Sequence, residues 1–522
     1  MSDLSLYKSC LRKIATNLRD GIYKSCHENP FSVMPSKIVY DLMSAALDYQ
    51  CENGFRANDL EQLLTSGKLR ELKISYMSEK DLITILQAIS QVLNFLKSGC
   101  QNLEILYLPW FMQCYKAWLR SEVSVARTRS EVFAARLRSE ISEALGNLLA
   151  NTPNLKDLHS GFSFDLKALR NCQELRRLRL HFEPQQHWYE FLPKEKDRFQ
   201  THKCLEFFTV CQYEAIFPNA PYDDVVIILR HCPKLTSLGF IESSGALSQL
   251  HRMGISASEL KLRHCYWREE EGDGAENPSQ PPDHGLHLVG EAVQNHPTIE
   301  ELDFHRCCLR SIPCLANLRN LVYLNITFAA NISGDAFNDT LQAIGPQLKH
   351  LSFHTASPMD LSLLLQNCHN MESLKITGDK FTGFANPAVS LPNLQRLALN
   401  YMRDNGRRVF RLLSDCNKLT ELFLLDASYF DDETLHHFLE MNSLSNLQVA
   451  FLPRCGLTDQ GFRELLLNAP QMERVRISSS GFGFRHLNHF GTVISETNHK
   501  ALCNKGPPYA TDEFFTKRRQ HD

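Results

Sequence analysis

Histidine and cysteine are the residue types of this sequence best suited to chemistry, either as metal ligands or as a nucleophile with its base. The 522 residues include 21 histidines and 17 cysteines. His305, Cys307 and Cys308 lie close enough in sequence to suggest zinc, but no paired C-x-x-C motif accompanies them. The motifs of phosphate-binding loops, zinc proteases and serine hydrolases are missing as well. We therefore expect an adaptor or binding protein that is not an enzyme, with no catalytic residues, no metal and no cofactor.

Composition narrows the class of partner and the compartment. A formal net charge of −3 gives no overall attraction to nucleic acid or to a membrane surface. No apolar stretch approaches the roughly 18 residues of a membrane span, and the charged first twenty residues do not resemble a signal peptide. Scattered cysteines in odd number favour a reducing compartment. We expect no membrane and no nucleic-acid partner, and a location in the cytoplasm, the nucleus or both.

The elements that would position a site are copies of the pattern L-x-x-L-x-L, which recurs about every 25 residues. We count about fifteen copies, with a poorer one at Ala257/Leu260/Leu262. The regular copies of the C-terminal half are Ile299/Leu302/Phe304, Leu321/Leu324/Ile326, Leu348/Leu351/Phe353, Met371/Leu374/Ile376, Leu394/Leu397/Leu399, Leu419/Leu422/Leu424, Leu447/Ala450/Leu452 and Met472/Val475/Ile477.

This pattern predicts an α/β leucine-rich-repeat solenoid. Each copy supplies a short parallel strand whose apolar side chains need neighbouring copies on either side to cover them. We expect a horseshoe with the strands on its concave face and helices on its convex face. The repeats would span residues 51–484, between a helical element at 1–50 and a tail at 485–522.

Cysteines recur at set positions within the repeats, and three insertions interrupt the repeats. Small buried cysteines are expected just before the strands at Cys172, Cys232, Cys368 and Cys416, and at the eighth repeat position at Cys265, Cys307 and Cys455. Insertions fall near 109–150, 184–203 and 268–284. The second carries Trp188, Tyr189 and Phe191 among charges, which favours a lid or binding loop.

The first fifty residues predict two helices separated by an irregular stretch. Leu6, Cys10 and Ile14 form an i, i+4 series in the first helix, and Pro35 is suited to the first turn of the second. One interpretation is a helical cap that closes the end of the solenoid.

The segment Ser5–Ile14 also resembles an elongin C-binding box, and Met34-Pro35-Ser36-Lys37-Ile38 resembles a cullin-2 box. The pair is similar to the VHL-box of leucine-rich-repeat substrate receptors of the Zyg-eleven and PRAME type. This resemblance implies that residues 5–14 bind elongin C of elongin B/C, through Leu6, Cys10 and Ile14. Residues 34–47 would then meet cullin-2 with its RING subunit through Pro35 and Ile38.

A substrate-recognition subunit of a cullin-RING ubiquitin ligase would bind its protein substrate through the repeats. Residues predicted to point outward from the strands are rich in aromatic and arginine side chains, which are frequent in interfaces. We therefore expect an acidic or acidic-flanked peptide as ligand. The candidate residues are Arg263, His264, His305, Arg306, Phe328, His354, Lys375, Tyr401, Phe423, Phe451, Arg454 and Arg476.

Two other functions remain open. Met34-Pro35 could begin an F-box that docks on Skp1, although this leaves Leu6, Cys10 and Ile14 unexplained. The chain could also be a leucine-rich-repeat scaffold or inhibitor with no role in ubiquitin transfer.

Overall fold

The chain forms two compact units, Met1–Leu262 and Arg263–Asp522, which are described separately. A computed structural model provides the coordinates. The residues that it describes are 3–53, 56–74, 82–108, 129–182, 187–196, 198–210, 222–240, 243–255, 259–268, 284–308, 311–328, 334–354, 358–378, 380–384, 388–402, 405–478 and 502–503.

The first unit contains a parallel sheet whose strands follow one another in chain order. Its strands are Glu71–Lys73, Ile105–Leu108, Asp157–Ser160, Arg177–Leu180, Phe207–Val210 and Ser237–Gly239. A separate antiparallel hairpin pairs Lys194–Glu195 with Arg198–Phe199.

Helices connect these strands. The α-helices of the first unit are Asp3–Arg19, Ser36–Asn53, Ala57–Leu64, Leu82–Leu96, Arg129–Ala150, Tyr222–His231 and Ser243–Arg252. Single 3₁₀ turns occupy Ile22–Ser25, Cys100–Asn102, Leu166–Asn171 and Trp188–Phe191.

The second unit repeats the arrangement with a longer parallel sheet, again in chain order. Its strands are His264–Arg268, Glu301–Cys307, Tyr323–Phe328, His350–His354, Ser373–Thr377, Arg396–Asn400, Glu421–Leu425, Val449–Pro453, Arg474–Ser478 and Leu502–Cys503.

Helices also alternate with the strands of the second unit. They are His284–Asn295, Gly334–Ile344, Leu361–Asn367, Asn405–Leu412, Asp432–Met441 and Asp459–Asn468, with 3₁₀ turns at Ile312–Asn317 and Gly345–Gln347. Two-residue parallel pairs join Met359–Asp360 to Phe381–Thr382 and Val389–Ser390 to Leu413–Ser414.

The repeat pattern accounts for these elements. Leu419, Leu422 and Leu424 are fully buried on one side of their strand, and Leu422 lies in register with Leu397 of the preceding strand. Because each strand covers the apolar row of its neighbour, one copy could not stand alone. The predicted leucine-rich-repeat α/β fold is confirmed.

One repeat has a different register from the one predicted. Cys265 pairs with Leu302 and Trp267 with Phe304, so Leu262, Cys265 and Trp267 occupy the apolar positions. The predicted copy at Ala257/Leu260/Leu262 is therefore wrong, and Cys265 lies within the strand instead of at the eighth position. The error arose because tryptophan and cysteine stand where the pattern has leucine.

Part of the insertion at 184–203 belongs to the core. Trp188 and Phe191 are buried, and the Trp188 ring meets those of Phe208 and Phe240 at centroid distances of 6.2 and 5.2 Å. The expectation of a lid or binding loop is wrong for these two side chains. The insertion instead adds aromatic area to a small hydrophobic layer.

The predicted cysteine positions before the strands are confirmed. Cys172, Cys232, Cys368 and Cys416 are all buried. The Cys172 Sγ lies 3.3 Å from the Thr152 carbonyl oxygen, and burial raises the pKa of this thiol to about 12. These thiols therefore stay protonated and act as small core residues with a weak donor.

Several predicted segments lie outside the described residues: residues 109–128 of the insertion at 109–150, nearly all of 268–284, and the tail apart from Leu502–Cys503. Within the described part of the chain, no helix combines the length and apolar character that crossing a membrane requires.

Candidate interaction surfaces

The first helix has a buried half and an exposed half. Ala15 and Leu18, near its C-terminal end, are buried where Asp3–Arg19 contacts Ser36–Asn53 and Ala57–Leu64. The Tyr7 hydroxyl donates to Asp41 Oδ2 at 2.7 Å, and this bond raises the pKa of Tyr7. The helix is thus fixed to its neighbours along one side only.

The other side presents the predicted elongin-box residues to solvent. The Leu6 side chain is 68% exposed, Cys10 is an exposed free thiol, and Ile14 is half-buried at the margin of the helix contact. At 100° per residue, Leu6 and Cys10 lie about 40° apart around the helix, so they belong to one face.

The predicted cullin-box residues begin the second helix. The Pro35 carbonyl oxygen accepts bonds from the amides of Ile38 and Val39, and Pro35 itself is exposed. Ile38 is half-buried, whereas Val39 is fully buried. The neighbouring Val33 is 84% exposed, which gives this end of the helix an apolar surface.

The outward face of the second unit's sheet carries a buried polar network that the sequence did not reveal. Asp303 Oδ2 lies 2.8 Å from His264 Nε2, and its Oδ1 accepts from Asn325 Nδ2 at 2.8 Å and from the Tyr323 hydroxyl at 3.4 Å. His264 is therefore buried and engaged, and is not the exposed contact that was predicted.

The neighbouring predicted residues lie at the ends of strands. His305 stacks on Tyr266 with ring centroids 4.8 Å apart, and burial lowers the pKa of His305. Arg263 is exposed and pairs with Glu300 at 3.7 Å. Arg306 is exposed and adopts a left-handed φ of 54°.

Phe328 does not lie on the outward face. Its side chain is buried, and its ring meets Phe337 of helix Gly334–Ile344 at a centroid distance of 4.8 Å. A shift of register between Phe304 and Cys307 on the neighbouring strand accompanies this inward placement. The predicted outward orientation of Phe328 is wrong.

Phe423 and Phe451 lie on the outward face but are largely covered. They are in register on adjacent strands and cluster with Ala398, Leu425 and Val449, which leaves Phe451 only 4% exposed. The sequence could not show this burial, because it depends on neighbours across strands.

The remaining candidates are more open. His354 and Tyr401 are exposed, and Lys375 is half-buried. The Arg454 guanidinium lies 2.7 Å from Asp426 Oδ1. The side chain of Arg476 lies outside the described residues. Tyr401 and Arg454 share the left-handed φ of Arg306, a strained conformation for residues other than glycine.

The sheet of the first unit holds a second polar group of residues that sequence reasoning missed. The Tyr107 hydroxyl donates to Asp157 Oδ2 at 2.9 Å, and the Nε2 atoms of His159 and His181 lie 2.6 Å apart. Burial raises the pKa of both Tyr107 and Asp157. Tyr107 and His159 occupy the same position in successive repeats, so a repeat alignment could have identified this row.

No metal centre is formed in the described part of the chain, where no three histidine, cysteine or acidic side chains converge. His305, Cys307 and Cys308 are included in that part, so the zinc alternative has no geometric support.

No protein-family model and no curated protein matches the chain. Among solved structures, the Rad7 and Elc1 complex from yeast shares 16% identity over 45% of this chain and 70% of that chain, with a TM-score of 0.25. An internalin from Listeria monocytogenes shares 15% identity over 86% of this chain and 89% of that chain, with a TM-score of 0.29. At these TM-scores neither likeness bears on function, and the fold assignment rests on the strand register above.

Proposed function

We propose that this protein is a substrate-recognition subunit of a cullin-RING ubiquitin ligase. Its first helix binds elongin C of elongin B/C, the residues around Pro35 meet cullin-2 with its RING subunit, and the sheet faces bind a protein substrate. It works in the cytoplasm or nucleus as an adaptor, with no chemistry of its own, by holding the substrate near a conjugating enzyme.

The observation that carries this proposal is the division of the first helix. Ala15 and Leu18 anchor its C-terminal half, while Leu6 and Cys10 remain exposed on its N-terminal half. A helix that served only as a cap would direct its leucines toward the solenoid. An anchored helix with an exposed apolar face is suited to insertion into a groove of another protein.

The distribution of exposed apolar side chains adds support. Eleven large hydrophobic side chains are exposed among the described residues, and four of them fall within the first 33. Those four are Leu6, Tyr7, Ile22 and Val33. Full burial of one leucine contributes about 1.5–3 kcal/mol, so a partner that covers Leu6 and its neighbours would gain appreciable affinity.

The test is a pull-down of the full chain with elongin B/C, using Leu6→Arg as the disrupting variant. Leu467→Arg is the matched control, because Leu467 is 66% exposed on helix Asp459–Asn468, far along the chain. We expect the wild type and Leu467→Arg to retain elongin B/C, and Leu6→Arg to lose it at least tenfold, or about 1.4 kcal/mol.

Skp1 is included in the same experiment as a rival partner. Retention of Skp1 in place of elongin would favour the F-box alternative. Binding of neither adaptor by the folded chain would reject a ligase role through this element and leave a repeat scaffold. Equal loss in both leucine variants would mean that the pull-down reports misfolding.

A further inference from the structure

Three arginines occupy one strand of the first unit, Arg177–Leu180, and the residue before it. Arg176 is exposed at the entry to the strand, and Arg177 and Arg179 are half-buried on its outward face. Leu178 and Leu180 point into the core between them. Alternation along the strand therefore places two guanidinium groups side by side on the open face of the sheet.

Asp157 is a charged neighbour of both guanidinium groups, which act to lower its pKa, but it forms no close ion pair with either. In the part of the chain that the structure describes, Arg177 and Arg179 make no side-chain hydrogen bond or ion pair. The Arg177 guanidinium carbon lies 5.2 Å from the centroid of the Phe207 ring, a cation–π contact that keeps the group flat against the sheet. This contact orients the charge without neutralising it.

The described carboxylates of the same rows offset only part of this charge. Asp157 is in register with Arg177, and although burial raises the pKa of Asp157, the Tyr107 hydrogen bond and the charges of Arg177 and Arg179 lower it. Glu71 lies 3.0 Å from Lys73, on a strand about 14 Å from Arg177 at ordinary strand spacing. The face therefore keeps an excess of positive charge at Arg177 and Arg179.

His159 is in register with Arg179, and its Nε2 atom lies 2.6 Å from His181 Nε2. Burial is the main cause that lowers the pKa of His159 to about 2, so His159 is uncharged near neutral pH. On the other side of Arg179 the in-register positions are Thr209 and Gly239. A Cβ on Gly239 would lie 2.7 Å from Thr209 Cγ2, so this position has no room for a side chain.

We propose that Arg177 and Arg179 bind an anionic group, phosphate or carboxylate, of a peptide segment in a partner protein. A guanidinium presents a planar fork of donors that matches both anions. Two such half-buried forks face the single carboxylate of Asp157, so positive charge remains to complement an anionic side chain. A peptide is favoured over nucleic acid because the protein as a whole carries a net charge of −3.

That this peptide belongs to a ubiquitination substrate rests on the proposed function, but the binding itself does not. The site lies in the first unit, whereas the sequence directed attention mainly to arginines and aromatics of the second. Arg177 and Arg179 were overlooked because nothing in the sequence shows which arginines make no close ion pair.

The test uses fluorescent peptide pools of mixed sequence that differ only in a fixed central residue: phosphoserine, glutamate or serine. Anisotropy titrations would compare the full-length protein, Arg177→Gln/Arg179→Gln, and the control Arg136→Gln/Arg230→Gln. The control removes the same charge from exposed positions on two helices of the same unit.

We expect at least one anionic pool to bind the wild type about tenfold more tightly than the serine pool, as for one charge-assisted hydrogen bond. This preference should disappear in Arg177→Gln/Arg179→Gln and persist in the control. A preference for the phosphoserine pool alone would identify a phosphate site. Equally tight binding of the glutamate pool would identify a general site for carboxylate or phosphate. Arg177→Lys/Arg179→Lys, which keeps both charges, should retain part of the preference even if the glutamine variant fails to fold.

Equal binding of all three pools, or equal loss in the control, would overturn the proposal. Tighter binding of single-stranded RNA than of either anionic pool, with the same dependence on Arg177 and Arg179, would replace it with a nucleic-acid site. Elongin B/C binding measured on the same variants separates the two proposals, because Leu6→Arg should leave peptide binding intact.

Discussion

The Nε2 atoms of His159, on strand Asp157–Ser160, and His181, directly after strand Arg177–Leu180, lie 2.6 Å apart, with their rings stacked at a centroid distance of 4.8 Å. One imidazole must donate and the other accept, so only one of the two Nε2 atoms carries a proton. Burial, the charge of His181 and the charge of Arg179 together lower the pKa of His159 to about 2.

This pair predicts a loss of stability in mild acid. Below the ordinary histidine pKa of 6.5, the unfolded chain takes up a proton at His159 and the folded chain does not, so falling pH favours unfolding. From about pH 7.5 to about pH 5.5 this group alone should cost about 1.4 kcal/mol. Urea unfolding at the two pH values measures it.

The variant His159→Phe should remove the contribution of His159 to the pH dependence of the free energy of unfolding. Other histidines, such as His202 and His231, should still contribute, because burial lowers their pKa as well. The exposed His251→Phe serves as control, because it keeps His159 in place. An unchanged pH dependence in His159→Phe would mean that this histidine is protonated in the folded state.

Truncating Trp188 tests whether the insertion is core or lid. Trp188→Ala should lower the free energy of unfolding by about 3–5 kcal/mol, because it leaves a cavity beside Phe208 and Phe240. The control Phe133→Ala, at an exposed phenylalanine, should change it by less than about 0.5 kcal/mol. A lid residue would instead leave urea unfolding of the protein unchanged.

Removing the shared acceptor of the second unit's network should also destabilise the protein. Asp303→Ala takes the carboxylate from His264, Asn325 and Tyr323, at a cost of about 3 kcal/mol. Asp303→Asn keeps one acceptor oxygen and should cost less. Denaturant unfolding measures these losses, with the exposed Asp339→Ala as control. If Asp303→Ala and Asp303→Asn unfolded at the same denaturant concentration as the wild type and the control, this account would be contradicted.

The fold could be predicted from the sequence because its apolar positions depend on local spacing. Leu422 and Leu424 must face inward in any strand built on this pattern, and they do. The pattern failed at Cys265 and Trp267, because cysteine and tryptophan occupy apolar positions where the pattern has leucine.

The outward faces could be predicted only in part, since their exposure depends on residues many positions away. His264 is buried and hydrogen-bonded to Asp303, two residues beyond its in-register partner Glu301, and Phe423 is buried against its in-register partner Phe451. Leu6, on the first helix, and Tyr401, directly after its strand, are exposed, and their roles as contacts are still predictions.

The burial of the cysteines has a practical consequence for labelling. Of the described cysteines, Cys10 and Cys26 are the two classed as exposed, and those before the strands are protonated and covered. Among the described cysteines, a maleimide dye on a Cys26→Ser background would therefore react preferentially at Cys10, one helical turn from Leu6. Its emission would report directly when a partner covers the first helix, without any tag elsewhere on the molecule.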